Sequence, residues 1–290
     1  MRRAVVAGAA LVLVIALVWV LTALTGGEET GDLEDAIEDT TSTALSEAVA
    51  ALVTTTLSAT TAPPSGPPTT ENPARVLVLG DSDAGTFGPY LSALLDETGV
   101  VETTVDYKVS SGLSRPDFFD WPAHIQSTLP TADPDIIVVT FGGNDAQDIR
   151  DRGGDIVEGG PTGNDEAWAS EYVRRANEVL DLLEAEDRTV IWVGIPNDDN
   201  PEVTARMQVQ DEAARAAVAA HPDVAFVDTW ARFSGRSGGW AEYVIDPRDG
   251  EGKDVRADDG FHLNETGAEI LALDIARLVE ADLRARGASV

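Results

Sequence analysis

The sequence predicts an α/β domain over residues 74–290, with three layers in α/β/α order around a five-stranded parallel sheet. Three observations predict it. The aliphatic runs "ARVLVLG", "PDIIVVTFG" and "RTVIWVGIP" have strand length and little polar alternation, as strands buried on both faces do. Segments with helical spacing separate the runs, and parallel strands need such crossovers. Polar, chemistry-bearing residues follow the runs directly, where open parallel sheets gather their functional groups.

In chain order, Ala74–Gly80 is the first strand, and "GPYLSALLDETG" is a helix with Leu91, Leu94 and Leu95 on one face and Gly99 as its stop. "VETTVDYKV" alternates and is rich in β-branched residues, which makes it the second strand. "DFFDWPAHIQSTL" reads as a helix and "PDIIVVTFG" as the third strand. The next helix places Tyr172, Val173, Ala176, Val179, Leu180 and Leu183 at helical spacing, with Asp165 as its candidate cap. "RTVIWVGIP" is the fourth strand, a helix covers 202–220, "VAFVDTW" is the fifth strand, and a last helix covers 264–285.

Composition narrows the function. Twenty Lys and Arg against 51 Asp and Glu leave a net charge of −31, which repels phosphate backbones and argues against nucleic-acid binding. The absence of cysteine excludes disulfides, thiolate metal sites, a cysteine nucleophile and a lipid-modified N-terminal cysteine. From Ala4 to Leu24 the chain carries no charge. As a helix this stretch is about 31 Å long, which matches a bilayer core. Arg2 and Arg3 precede it and Trp19 lies near its far end, so residues 1–25 read as a signal anchor with the N-terminus in the cytoplasm. A cleaved signal peptide is the competing reading, and the chain is secreted in that case. Residues 26–73, acidic and then rich in Thr, Ser and Pro, read as a disordered stalk. The expected location is the cell membrane, single-pass, with the domain outside the cytoplasm.

The first candidate for chemistry is Ser82, in "GDSD" directly after the first strand. A serine hydroxyl is a weak nucleophile and needs a base. Of the three histidines, His124 sits in an expected surface helix and faces solvent, and His221 at a helix end reads as a cap. His262 lies before the last helix with Asp259 three residues upstream, where a carboxylate can hold one ring nitrogen and leave the other for the serine. The adjoining Asp258 is the alternative acid, and the three-residue offset favours Asp259. "DPRDGEGKDVRADDG" is acidic but lacks EF-hand spacing, so it reads as a solvated loop near the site. No P-loop, dinucleotide-binding glycine fingerprint or His-rich metal motif is present, so neither metal nor cofactor is expected. Trp121, Trp168, Trp230 and Trp240 could line a carbohydrate cleft, with ordinary packing the better reading of each.

Gly80-Asp81-Ser82, Gly112 in "SSGLS", Gly142-Gly143-Asn144-Asp145 and Asp259-Gly260-Phe261-His262 occur in that order. With these four blocks the chain resembles the SGNH, or GDSL-type, hydrolase superfamily over roughly residues 75–285. "SGLSRPDFFDWP" and "VRADDGFHL" are similar to an exported, membrane-anchored bacterial branch of it. The resemblance implies a flavodoxin-like sheet, with Ser82 as nucleophile, His262 as base and Asp259 as its orienting acid. It also implies an oxyanion hole from the Ser82 and Gly112 N–H groups and the Asn144 amide, with Gly80, Asp81, Gly142 and Asp145 as supporting residues. Asp83 departs from the pattern, since a carboxylate aimed into the site opposes an oxyanion, whereas one aimed away stabilises the helix start.

These residues lead to the expectation of an exported serine esterase that removes acyl groups, acetyl foremost, from a cell-envelope carbohydrate or another ester. An O-acyltransferase using the same acyl-enzyme is the alternative, followed by a lipase or thioesterase. The non-enzymatic alternative is an inactive tethered glycan-binding protein.

Overall fold

In the computed structural model, residues 66–290 are described. The expected anchor at 1–25 and the stalk as far as residue 65 lie outside them. No helix among the described residues is long and apolar enough to cross a membrane.

The main sheet comprises β1 (Ala74–Gly80), β2 (Val101–Tyr107), β3 (Ile136–Thr140), β6 (Thr189–Val193) and β7 (Ala225–Val227), all parallel, in the order β2-β1-β3-β6-β7. Side chains alternate across a strand, and here both faces are apolar. Val76, Val78, Ile136, Val138, Ile191 and Val193 enter one core, while Leu77, Leu79, Ile137, Val139, Val190 and Trp192 enter the other. On the first face lie α1 (Ser82–Asp96) and α6 (Glu265–Ala285), which contribute Phe87, Leu91, Leu95, Ile270, Ile275 and Val279. On the second lie α2 (Trp121–Ala132), α3 (Asp165–Leu183) and α4 (Pro201–Ala219), where Trp121, Trp168, Tyr172 and Leu180 meet the small face of Ala213, Ala214 and Ala217. The α/β/α sandwich with a five-stranded parallel sheet is therefore the fold.

Three smaller pieces complete the described residues. They are the antiparallel pair β4 (Ile149–Arg150) and β5 (Ile156–Glu158), the one-turn α5 (Thr229–Arg232), and the hairpin of β8 (Tyr243–Ile245) and β9 (Gly252–Asp254). That hairpin is formed by much of the stretch expected to be a solvated acidic loop, where Lys253 bonds Asp249 and Glu251.

Several expectations need correction. The first helix begins at Ser82, six residues before the expected start, because Asp81 caps it by accepting the Asp83 N–H at 3.0 Å. Two glycines inside this helix, Gly85 and Gly88, are sites of contact with β2. A Cβ at Gly85 would stand 2.5 Å from the Tyr107 ring, so a side chain there would push α1 off β2. Asn164, not Asp165, holds the cap position of α3, and Asp165 is its first helical residue. Within the expected stalk, residues 69–72 form a turn closed by Asn72 N–H to the Thr69 carbonyl, and Pro67 faces Gly287.

Candidate active site

Ser82 is the first residue of α1, directly after β1, and its Oγ lies 2.9 Å from His262 Nε2. His262 Nδ1 lies 2.6 Å from Asp259 Oδ2. Asp259 Oδ1 accepts the backbone N–H groups of Phe261 and His262 at 3.1 and 3.0 Å. Burial raises the Asp259 pKa, but the bonds from the His262 ring and the two N–H groups outweigh it, and the carboxyl titrates below its ordinary range. An ionised Asp259 keeps the proton on Nδ1 and leaves the Nε2 lone pair facing the serine. Asp258 is exposed, and the ring bond goes to Asp259.

The loops after β1, β2 and β3 meet around two fully buried aspartates. Asp81 Oδ2 accepts the N–H groups of Gly142 and Gly143, each at 3.1 Å, which ties the serine turn to the loop after β3. Asp145 accepts from Ser114 N–H at 2.8 Å and Leu113 N–H at 2.9 Å, and from the Tyr172 hydroxyl at 2.9 Å. Burial pushes the Asp81 carboxyl up to about 7, with the Asp145 charge adding to the shift and the backbone N–H bonds opposing it. Burial likewise raises Asp145, against the pull of Ser114, Leu113 and Tyr172. A Cβ at Gly112 would stand 2.1 Å from Asp145 Oδ1, so only glycine lets this strand of loop lie against the carboxylate. Gly80 accepts the Lys108 N–H at 2.9 Å, which holds the end of β2 beside the serine turn. The N–H groups of Ser82 and Gly112 donate to no described residue, and Asn144 Nδ2 reaches the Ser111 carbonyl at 3.3 Å with its second hydrogen free.

Asp83 is 7% exposed, and its Oδ2 is buried without a hydrogen-bond partner. A Cβ on Gly143 would stand 3.2 Å from that oxygen and 3.0 Å from the Phe261 ring, which places the carboxyl between the loop after β3 and the His262 loop. Burial, with the Asp81 and Asp259 charges behind it, raises Asp83 well above the ordinary carboxylate range, and Arg256 opposes the shift. The carboxyl therefore points inward.

Sequence reasoning missed Arg256. Its guanidinium is buried and places all five donors. They go to the carbonyls of Ala241, Asn197, Phe261 and Phe233 at 2.9–3.2 Å and to Asn197 Oδ1 at 2.8 Å. One side chain thus anchors the loop that carries His262 to the loops after β6 and α5. Burial pushes its pKa down to about 10, while Asp198, Asp83 and Asp199 favour the charge. An arginine between "V" and "ADDG" was the only signal.

The other two histidines lie elsewhere. His124 is half-buried rather than solvent-facing, with Nε2 2.7 Å from Asp106 Oδ2 and its ring against Phe119 and Trp121. His221 bridges from the end of α4 to Glu184 and to Asn177 Oδ1 at 3.2 Å. Trp121 and Trp168 are buried, and their indole N–H groups bond Ser111 Oγ at 2.9 Å and the Gln147 carbonyl at 2.7 Å. Trp230 packs on Ile195, Met207 and Phe261, and Trp240 donates to the Gly260 carbonyl at 2.7 Å. Among the described residues no group of three or more acidic or histidine side chains is placed to hold a metal ion.

No curated protein sequence matches this chain. Among solved structures, a GDSL-like lipase from Bacteroides thetaiotaomicron is 14% identical, covers 72% of this chain and 88% of its own, and gives a TM-score of 0.48. A protein described as an SGNH hydrolase from Slackia heliotrinireducens is 19% identical over 72% of this chain and 100% of its own, with a TM-score of 0.46. A protein described as lipolytic and of the G-D-S-L family, from Desulfitobacterium hafniense, is 13% identical over 71% and 99%, with a TM-score of 0.47. The family described as "Protein of unknown function (DUF459)" matches residues 75–278, from the first strand through the His262 loop and most of α6, and the chain belongs to that family.

Proposed function

We propose that this protein is a serine esterase that removes acyl groups, acetyl foremost, from a cell-envelope carbohydrate. The observation that carries the chemistry is the unbroken relay from Ser82 Oγ through His262 to Asp259, beside two backbone N–H groups that have no other acceptor. Ser82 Oγ attacks the ester carbonyl while His262 Nε2 takes its proton, and Asp259 stabilises the resulting imidazolium. The oxyanion collects the N–H groups of Ser82 and Gly112 and the free Asn144 hydrogen. His262 returns the proton to the departing alcohol. Water, deprotonated by the same ring, then releases the acid and restores the serine. His262 is 32% exposed and Asp259 51%, so water reaches the base directly.

The carbohydrate and the site outside the cytoplasm rest on the apolar stretch from Ala4 to Leu24, which would tether the domain at the membrane. The test is hydrolysis of an aryl acetate and of acetylated glycans by the full-length chain, together with labelling by a serine-reactive phosphonate. Turnover and stoichiometric labelling at Ser82 are expected, with both lost in Ser82→Ala. Activity that survives that substitution removes the assignment.

A further inference from the structure

The six residues from Tyr107 to Gly112 run from the end of β2 to the glycine of the proposed oxyanion hole. Their inner side is pinned. Lys108 N–H donates to the Gly80 carbonyl at 2.9 Å, and Ser111 Oγ donates to the Lys108 carbonyl at 2.6 Å and accepts the Trp121 indole N–H at 2.9 Å. The Tyr107 ring lies on Gly85, one helical turn past Ser82. Ser110 holds φ at +61°, a left-handed conformation that is strained for a non-glycine residue and needs such pinning to persist.

The outer side has no protein partner. Tyr107, Val109 and Phe118 are 49%, 54% and 50% exposed, beside the serine turn. Lys108 Nζ lies 5.6 Å from the centre of the Phe118 ring. No carboxylate among the described residues lies within 4.0 Å of it, whereas the second lysine, Lys253, holds both Asp249 and Glu251. In a chain of net charge −31, an unpaired cation beside the serine is out of keeping with its surroundings. The Phe118 face with the Lys108 ammonium beside it matches a sugar ring that carries a negative group.

The geometry points to a substrate subsite formed by Lys108 and Phe118 that takes an acidic saccharide, the carboxylate of a uronic acid or similar unit meeting Lys108 while its ring lies against Phe118. The inference names the substrate class of the proposed esterase and rests on that reading for turnover, but binding tests it separately. A single compact ammonium fits one monovalent carboxylate, and Lys108 thereby selects the acidic ester over a neutral one that the serine could attack equally well.

The test compares full-length wild type with Lys108→Glu and Phe118→Ala on acetylated polygalacturonate, acetylated xylan and 4-nitrophenyl acetate. At about 0.15 M salt, which screens the repulsion between a net charge of −31 and a polyanion, wild type is expected to prefer the acidic polymer. Lys108→Glu is expected to raise KM for that polymer about tenfold, as juxtaposed like charges do, and to leave the aryl acetate within about twofold. Phe118→Ala is expected to raise KM for both polymers. Equal rates on the two polymers, or an equal loss on both in Lys108→Glu, overturn the inference. If no ester is turned over, the esterase reading fails by itself. Binding of oligogalacturonate to Ser82→Ala, lost in Ser82→Ala/Lys108→Glu, still supports the subsite, and no binding overturns it. Displacement by glucose 6-phosphate but not by glucuronate overturns the carboxylate assignment.

Discussion

On one side of Ser82, two fully buried aspartates hold the loops that carry the candidate oxyanion donors. On the other side, His262 rides on a loop whose acid is half exposed and which one buried arginine anchors. Asp81 and Asp145 each accept bonds from three groups drawn from two segments, so the donor side is part of the core and cannot move without breaking it. The base side makes its bonds nearer solvent, with Asp259 held by its own loop, while Arg256 reaches inward and the Asp199 and Trp240 N–H groups hold the Gly260 carbonyl. The difference teaches that catalysis and stability should be inseparable on the donor side and separable on the base side.

Four substitutions can break or sharpen that contrast, from the largest effect to the smallest. Asp259→Asn should lower kcat on an aryl acetate by about 10⁴-fold, because the imidazole loses its tautomer and its counter-ion. Its urea midpoint should hardly move, since exposed pairs contribute at most about 1 kcal/mol. A large loss of stability there would erase the contrast. Gly112→Ala should lower kcat by about 10²–10³-fold and also cost about 1–3 kcal/mol, since the new methyl collides with the Asp145 carboxylate. Normal stability in that variant would show that the donor side is not welded to the core.

Arg256→Met tests the buried charged anchor of that loop. It should lower kcat by about 10–100-fold through misplacement of His262, with Ser82 and its donors intact. Steady-state kinetics and thermal unfolding check this, and unchanged kcat would remove Arg256 from the positioning role.

The smallest effect is one of pH. Asp83 keeps its proton in the folded state to higher pH than in the unfolded chain, because burial and two neighbouring carboxylates oppose its ionisation. The stability tied to that proton is complete below the unfolded pKa, near about 3.9, and is lost as pH rises toward the folded value. Asp83→Asn stays neutral throughout. It should therefore match wild type near pH 4 and exceed it by about 1–3 kcal/mol at pH 8, the range for relieving an unpartnered buried group. Urea unfolding at both pH values decides it, and a gap that does not widen with pH sinks the explanation.

β1, β3 and β6 were legible because each carries an uninterrupted aliphatic run, as strands buried on both faces do, and β2 because β-branched residues alternate along it. The start of α1 was not legible, because Gly85 looks like a breaker until the Tyr107 ring it touches is in place. Ser82, Asp259 and His262 were legible as candidates because a base three residues from an acid and a serine after a strand are local patterns, and their roles came from the resemblance of the four motif blocks to SGNH hydrolases. Arg256 could not, because its value lies in five acceptors drawn from segments up to 59 residues away.

By itself, then, the sequence determined the α/β architecture, the acidic surface and the identity of the residues that meet at the end of the sheet. Tertiary structure alone decided where Asp83 points, which loop Arg256 anchors and why Lys108 stands without an acid. Periodicity and short spacings report what a segment does with its own neighbours. Burial, charge pairing and room for a Cβ depend on atoms from distant segments, and only the folded chain brings those together.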